Sequence, residues 1–120
     1  MPRPREERSR TAHRSVRILL DECVPWPLRR VLVGHECNTP SRMGWAGIKN
    51  GDLIRQAEGQ FDVFVTSDQN LRYQQNLQAR RIAIVELSTN DLRRIERSAA
   101  ALCLVVANVR AGEFRRVEIE

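Results

Sequence analysis

Residues 62–71 read "DVFVTSDQNL". Val63, Phe64 and Val65 form an apolar, β-favouring run that predicts a strand inside a sheet, and Thr66, Ser67 and Asp68 close it with two hydroxyls and an acid. The pattern repeats upstream in "VRILLDE", residues 16–22, where a run broken only by Arg17 meets Asp21 and Glu22. Two buried strands, each followed at once by acids, are expected of an open sheet with its polar chemistry at the strand ends.

After Glu22, Pro25 and Pro27 stand where a helix can begin, Leu28, Val31 and Leu32 give it a buried stripe, and Gly34 ends it. "HECNT", residues 35–39, predicts a short strand, and "PSRMGWAGIKNG", residues 40–51, an irregular loop. A helix is expected from Asp52 to Glu58, with Leu53, Ile54 and Ala57 inward and Gly59 as its stop. After Asp68 comes a polar, partly helical segment, then "RIAIVEL", residues 81–87, as another strand. Ser88, Thr89 or Asn90 is placed to cap one long helix burying Leu92, Ile95, Ala99, Leu102, Val106 and Val109. Gly112 ends that helix, and "FRRVEIE" alternates as a last strand. Strand and helix in alternation predict one α/β domain over 16–120 with a mainly parallel five-stranded sheet.

Asp21, Glu22 and Asp68 then lie at the carboxyl ends of two strands, and Asp52 opens the helix between them. Acids at helix starts are often plain caps, but several at one edge of one sheet repel each other and normally gather a cation. All-oxygen ligands suit Mg²⁺ or Mn²⁺, which can activate water and steady the charge of a phosphodiester transition state.

Three segments, "RILLDECVPWPLRRVL", "MGWAGIKNGDLIRQA" and "DVFVTSDQNLRYQQNL", resemble the PIN-like branch of the PIN nuclease superfamily, a branch often found in bacterial toxin–antitoxin operons. The resemblance spans roughly residues 16 to 90. It implies a three-layer fold with strand order 3-2-1-4-5, Mg²⁺- or Mn²⁺-dependent cleavage of single-stranded RNA, and an antitoxin protein as partner. On the matching positions, Asp21 is the first metal ligand, Asp52 the acid of the middle helix and Asp68 the acid of the TxD element, supported by Thr66 and Ser67. Glu22 and Asn70 are the candidates for a fourth polar position. Two positions depart: Cys23 stands where the family often has Asn, and Asn70 where it often has an acid. An amide is a weak ligand for a hard cation, so a second metal is expected to bind poorly and activity to be low. Two rivals remain: a catalytically silent module that only binds a protein, and a signalling receiver domain. The latter needs a lysine after its last strand, whereas Lys49 is this chain's only lysine.

Trp45 is placed either to anchor its loop or to stack on an unpaired base, and Arg72 and Tyr73 to line an RNA groove beyond Asp68. The net charge is +5, with Arg supplying all basic residues but one, which suits a phosphate-bearing partner. Residues 1–15, rich in Pro, Arg and Ser, are expected to form a disordered basic arm, and lack the apolar middle of a secretory signal. No apolar run is long enough to span a membrane. The three cysteines, without a CxxC, read as reduced thiols of a cytoplasmic protein. Apolar density from Ala99 to Val109 exceeds what one buried face requires, which suggests a homodimer.

Overall fold

Arg17–Leu20 (β1), Glu36–Asn38 (β2), Val63–Thr66 (β3), Ala83–Leu87 (β4) and Phe114–Val117 (β5) form one sheet in a computed structural model that describes residues 15–69 and 81–120. Every pairing is parallel. Among the described residues three α-helices connect or cover the strands: Asn50–Ala57 (α1), Leu92–Arg97 (α2) and Ala99–Asn108 (α3). The α/β class and the five-stranded parallel sheet are thus as the sequence predicts.

The strand order is β2-β1-β3-β4-β5 rather than the 3-2-1-4-5 implied by the resemblance. Burial explains the difference. All four residues of β3 are 0% exposed, so this strand needs a neighbour on each side. β2 is three residues long, carries Glu36 and Asn38, and tolerates the edge.

The sheet separates two apolar layers, because side chains alternate faces along each strand. On one face Ile18, Leu20, Val63, Val65 and Val85 pack with Leu28, Leu32, Ile95, Leu102 and Val106. On the other, Leu19, Phe64 and Ile84 pack with Leu53, Ile54 and Ala57 of α1 and with Trp45 and Phe61. Since β2 and β3 are parallel, α1 runs back between them, and its first turn lies at the carboxyl edge of the sheet.

Three local expectations change. The segment after β1 is a 3-10 helix, Trp26–Arg30, begun by Pro25 and holding Pro27 within its first turn, where a missing N–H costs nothing. α1 starts two residues earlier than expected, with Lys49 as its N-cap. The single long helix is two. Asp91, not Ser88, Thr89 or Asn90, caps α2 by accepting from the Arg94 N–H, and Ser98 leaves helical geometry at φ −103° before α3 resumes. Ser88 is engaged elsewhere, its hydroxyl accepting from Ile119 N. Residues 1–14 of the expected arm and the polar segment 70–80 lie outside the described residues. No helix among the described residues is long and apolar enough to cross a membrane.

Candidate functional site at the carboxyl edge

In a sheet of this order, successive connections leave β1 toward opposite sides, and the crevice expected of such sheets is where β1 and β3 end. Asp21 is the first residue beyond β1, and its N–H continues the ladder by donating to Val65 O at 2.9 Å. Thr66 ends β3 with its side chain fully buried. A buried hydroxyl must be paired, and this one donates to Asp21 Oδ2 at 2.7 Å, accepts from Asp68 N at 2.9 Å and also contacts Cys23 Sγ at 3.6 Å. One oxygen therefore fixes the Asp21 carboxylate and the backbone that carries Asp68. Thr66 supports Asp68 through the main chain, and its direct side-chain partner is Asp21.

The other Asp21 oxygen, Oδ1, accepts from Glu22 N at 2.8 Å. Cys23 completes the link between the two strand ends. Its Sγ donates to Asp21 Oδ2 at 3.4 Å and accepts from Ser67 Oγ at 3.2 Å and Ser67 N at 3.4 Å. The thiol is occupied as a bridge, and nothing in its surroundings points to a nucleophile.

The remaining sequence candidates are placed differently. Glu22 turns toward the loop after β2, where its Oε2 accepts from Ser41 N at 2.5 Å. Asp52 sits in the first turn of α1, at the same edge, but its side chain is 70% exposed and pairs with Arg55 one turn on. Trp45 is buried, edge-on to Phe61 with ring centroids 6.0 Å apart, so its ring anchors the loop in the core and is not presented to a base. Asn70, Arg72 and Tyr73 lie outside the described residues. Among the described residues no group of three or more His, Cys, Asp or Glu gathers closely enough to enclose a metal ion. Two acids stand just beyond the strand ends, Asp21, both of whose oxygens accept hydrogen bonds, and Asp68; an ion such as Mg²⁺ is commonly bound by one or two carboxylates together with water and substrate phosphate.

A third acid at this edge escaped the sequence reading. Glu86 lies opposite Thr66 in register and shares its face of the sheet, completely buried. Arg116, its register partner on β5, pairs with Glu86 Oε2 and also with Glu118 at 2.5 Å, while Glu86 Oε1 is buried without a hydrogen bond among the described residues. Arg116 Nη2 also reaches Gln69 Oε1 at 3.5 Å, joining β5 to the segment that follows Asp68. The signal was present in "RIAIVEL": a carboxylate inside an otherwise apolar central strand requires a partner. Away from the edge, burial raises the Cys37 thiol from its ordinary 9.0 to about 11, an effect that the nearby Arg29 charge opposes. Burial also raises the Cys103 thiol, whose Sγ donates to Val31 O.

Comparison of the chain with family models, curated proteins and solved structures gives no match.

Proposed function

We propose that this chain is a PIN-like, divalent-metal-dependent endoribonuclease acting on single-stranded RNA, the toxin of a toxin–antitoxin pair. The observation that carries the reading is the shared Thr66 hydroxyl, which ties Asp21 and Asp68 to one point at the β1/β3 crevice. The strand ends carry both residues beside that hydroxyl, and a site for charged chemistry requires its groups to be held in place. Asp21 and Asp68 would hold Mg²⁺ or Mn²⁺, with Asp52 and Glu22 at the margin. The ion, when bound, supplies an activated water and charge stabilisation at the scissile phosphate. The chain's own part is to orient: Thr66 fixes Asp21, Glu22 N–H holds its second oxygen, and Cys23 keeps the two strand ends together. We further read the protein as cytoplasmic and as a homodimer through the exposed side of α3.

Cleavage of a single-stranded RNA should require Mg²⁺ or Mn²⁺ and stop in chelator. Asp68→Asn should abolish it with the fold intact, and Asn70→Asp should tighten metal binding. Cleavage that survives chelator or Asp68→Asn would refute the reading.

A catalytically silent, protein-binding module is the second reading. It is favoured by the engagement of Glu22 with Ser41 and of Asp52 with Arg55, which leaves two acids rather than four at the crevice. Absence of metal binding would favour it. Strand order 2-1-3-4-5, which departs from the order the resemblance implies, is that of receiver sheets, and fold alone does not choose between chemistries. The receiver reading still lacks its lysine after the last strand.

A further inference from the structure

Two arginines share one tryptophan beside the candidate site. The Arg29 guanidinium carbon lies 4.7 Å from the centroid of the Trp26 ring and that of Arg42 lies 4.9 Å from it, so the two charges are less than twice 4.9 Å apart. Arg29 comes from the 3-10 helix after β1, and Arg42 from the loop after β2. Arg29 Nη1 also donates to Trp26 O at 3.3 Å, which holds its guanidinium at the ring, and Arg42 N donates to Thr39 Oγ1 at 3.2 Å, which fixes the backbone that carries Arg42. Among the described residues neither guanidinium has a carboxylate partner, whereas Arg17, Arg55, Arg115 and Arg116 are each paired with one. Two like charges on one ring without a counter-charge repel each other, and an anion that reaches both relieves that repulsion.

The place of the pair identifies the anion. Ser41, the neighbour of Arg42, donates its N–H to Glu22, the neighbour of Asp21, so the loop that carries Arg42 is joined to the turn that follows Asp21. A polyanion entering a crevice lined by Asp21 and Asp68 meets repulsion, which cations at the rim must offset. Guanidinium groups fit phosphate oxygens two at a time, and groups already stacked on a ring lose little freedom on binding.

We propose that Arg29 and Arg42, mounted on Trp26, form a phosphodiester-binding seat that holds the RNA backbone beside the Asp21 crevice. The seat rests on reading the crevice as an RNA site, but it acts in binding and needs no cleavage. The test is anisotropy titration of a fluorescein-labelled single-stranded uridine oligomer, in chelator, over a series of salt concentrations. The double variant Arg29→Gln, Arg42→Gln should bind more weakly, and its log K against log salt slope should be shallower by about 0.7 for each phosphate it no longer neutralises. Asp21→Asn should bind at least as well as wild type. In the wild type, Trp26 fluorescence should change on oligomer addition. An unchanged slope in a double variant of unaltered thermal midpoint, or unchanged Trp26 emission, overturns the seat. If a charge-matched glutamate peptide displaces the oligomer at equal concentration, the patch is a general anion or acidic-peptide surface and the phosphodiester assignment falls. The two readings fail separately. Binding with the expected slope but without cleavage leaves the seat and removes the nuclease, whereas metal-dependent cleavage with an unchanged slope does the reverse.

Discussion

The Thr66 hydroxyl is the one oxygen bonded both to the Asp21 carboxylate and to the backbone of Asp68, and it has no access to water. Thr66→Val preserves shape and β propensity but removes the oxygen that the half-buried Asp68 N–H donates to, at a cost of about 0.5–1.5 kcal/mol in stability. By loosening Asp21 it should also lower metal affinity or RNA turnover by roughly 10–100-fold, the effect usual for partners that orient a ligand. Thr66→Ser should recover most of both losses; urea unfolding and turnover measured together check this, and an active Thr66→Val would remove Thr66 from the site. At this scale Asp21, Thr66 and Asp68 were legible, because each sits where an apolar run stops. Glu86 was not singled out, since its meaning depends on Thr66 and Arg116 lying beside it in register, a relation between strands distant in sequence. The Arg29–Trp26–Arg42 cluster was hidden for the same reason: its members come from two loops that meet only once β1 and β2 pair.

Among the elements, β2 carries a half-buried thiol that makes stability depend on alkaline pH. Its Cys37 has a folded pKa of about 11 against an ordinary 9.0, so the folded state holds its proton longer than the unfolded chain. Below about pH 9 both states keep that proton and the contribution is fully present; between about pH 9 and 11 the unfolded chain loses it first and stability falls. Comparing urea midpoints at about pH 8 and about pH 10.5 should show a smaller alkaline loss in Cys37→Ala than in wild type. An identical loss in both would mean that the thiol is better solvated than its position implies. On the opposite edge of the core, Leu102 of α3 is 0% exposed, and Leu102→Ala should cost about 2–5 kcal/mol in denaturant unfolding. The helical region itself was only half legible. Periodicity identified Leu92, Ile95, Leu102 and Val106 as inward-facing, but the same stripe fits one helix or two. The break at Ser98 is a local change of backbone geometry, its φ at −103° and ψ at 22°, and spacing alone does not register it.

For the molecule as a whole, alternation of strand and helix was enough to predict an α/β parallel sheet, whereas the order of its strands was settled by which strand tolerates an edge. That order puts the switch point between β1 and β3, where the two acid-terminated runs of the sequence finish. Away from that edge, Leu104 of α3 is 65% exposed and Val33 is 82% exposed, on the side where Cys103 donates to Val31 O. If this side seats a second copy, light scattering at micromolar concentration should return a dimer mass that Leu104→Glu reduces to the monomer; a monomeric wild type would count against the homodimer. The central claim, however, concerns the carboxyl edge. It is tested most directly by RNA turnover with Mn²⁺ and with chelator, for wild type and for Asp21→Asn, which keeps the shape of the side chain and removes its charge. Cleavage is expected only from the wild type and only with the metal, while both proteins unfold at similar midpoints and bind RNA in chelator. Equal cleavage by Asp21→Asn, or cleavage by the wild type in chelator, would contradict the claim.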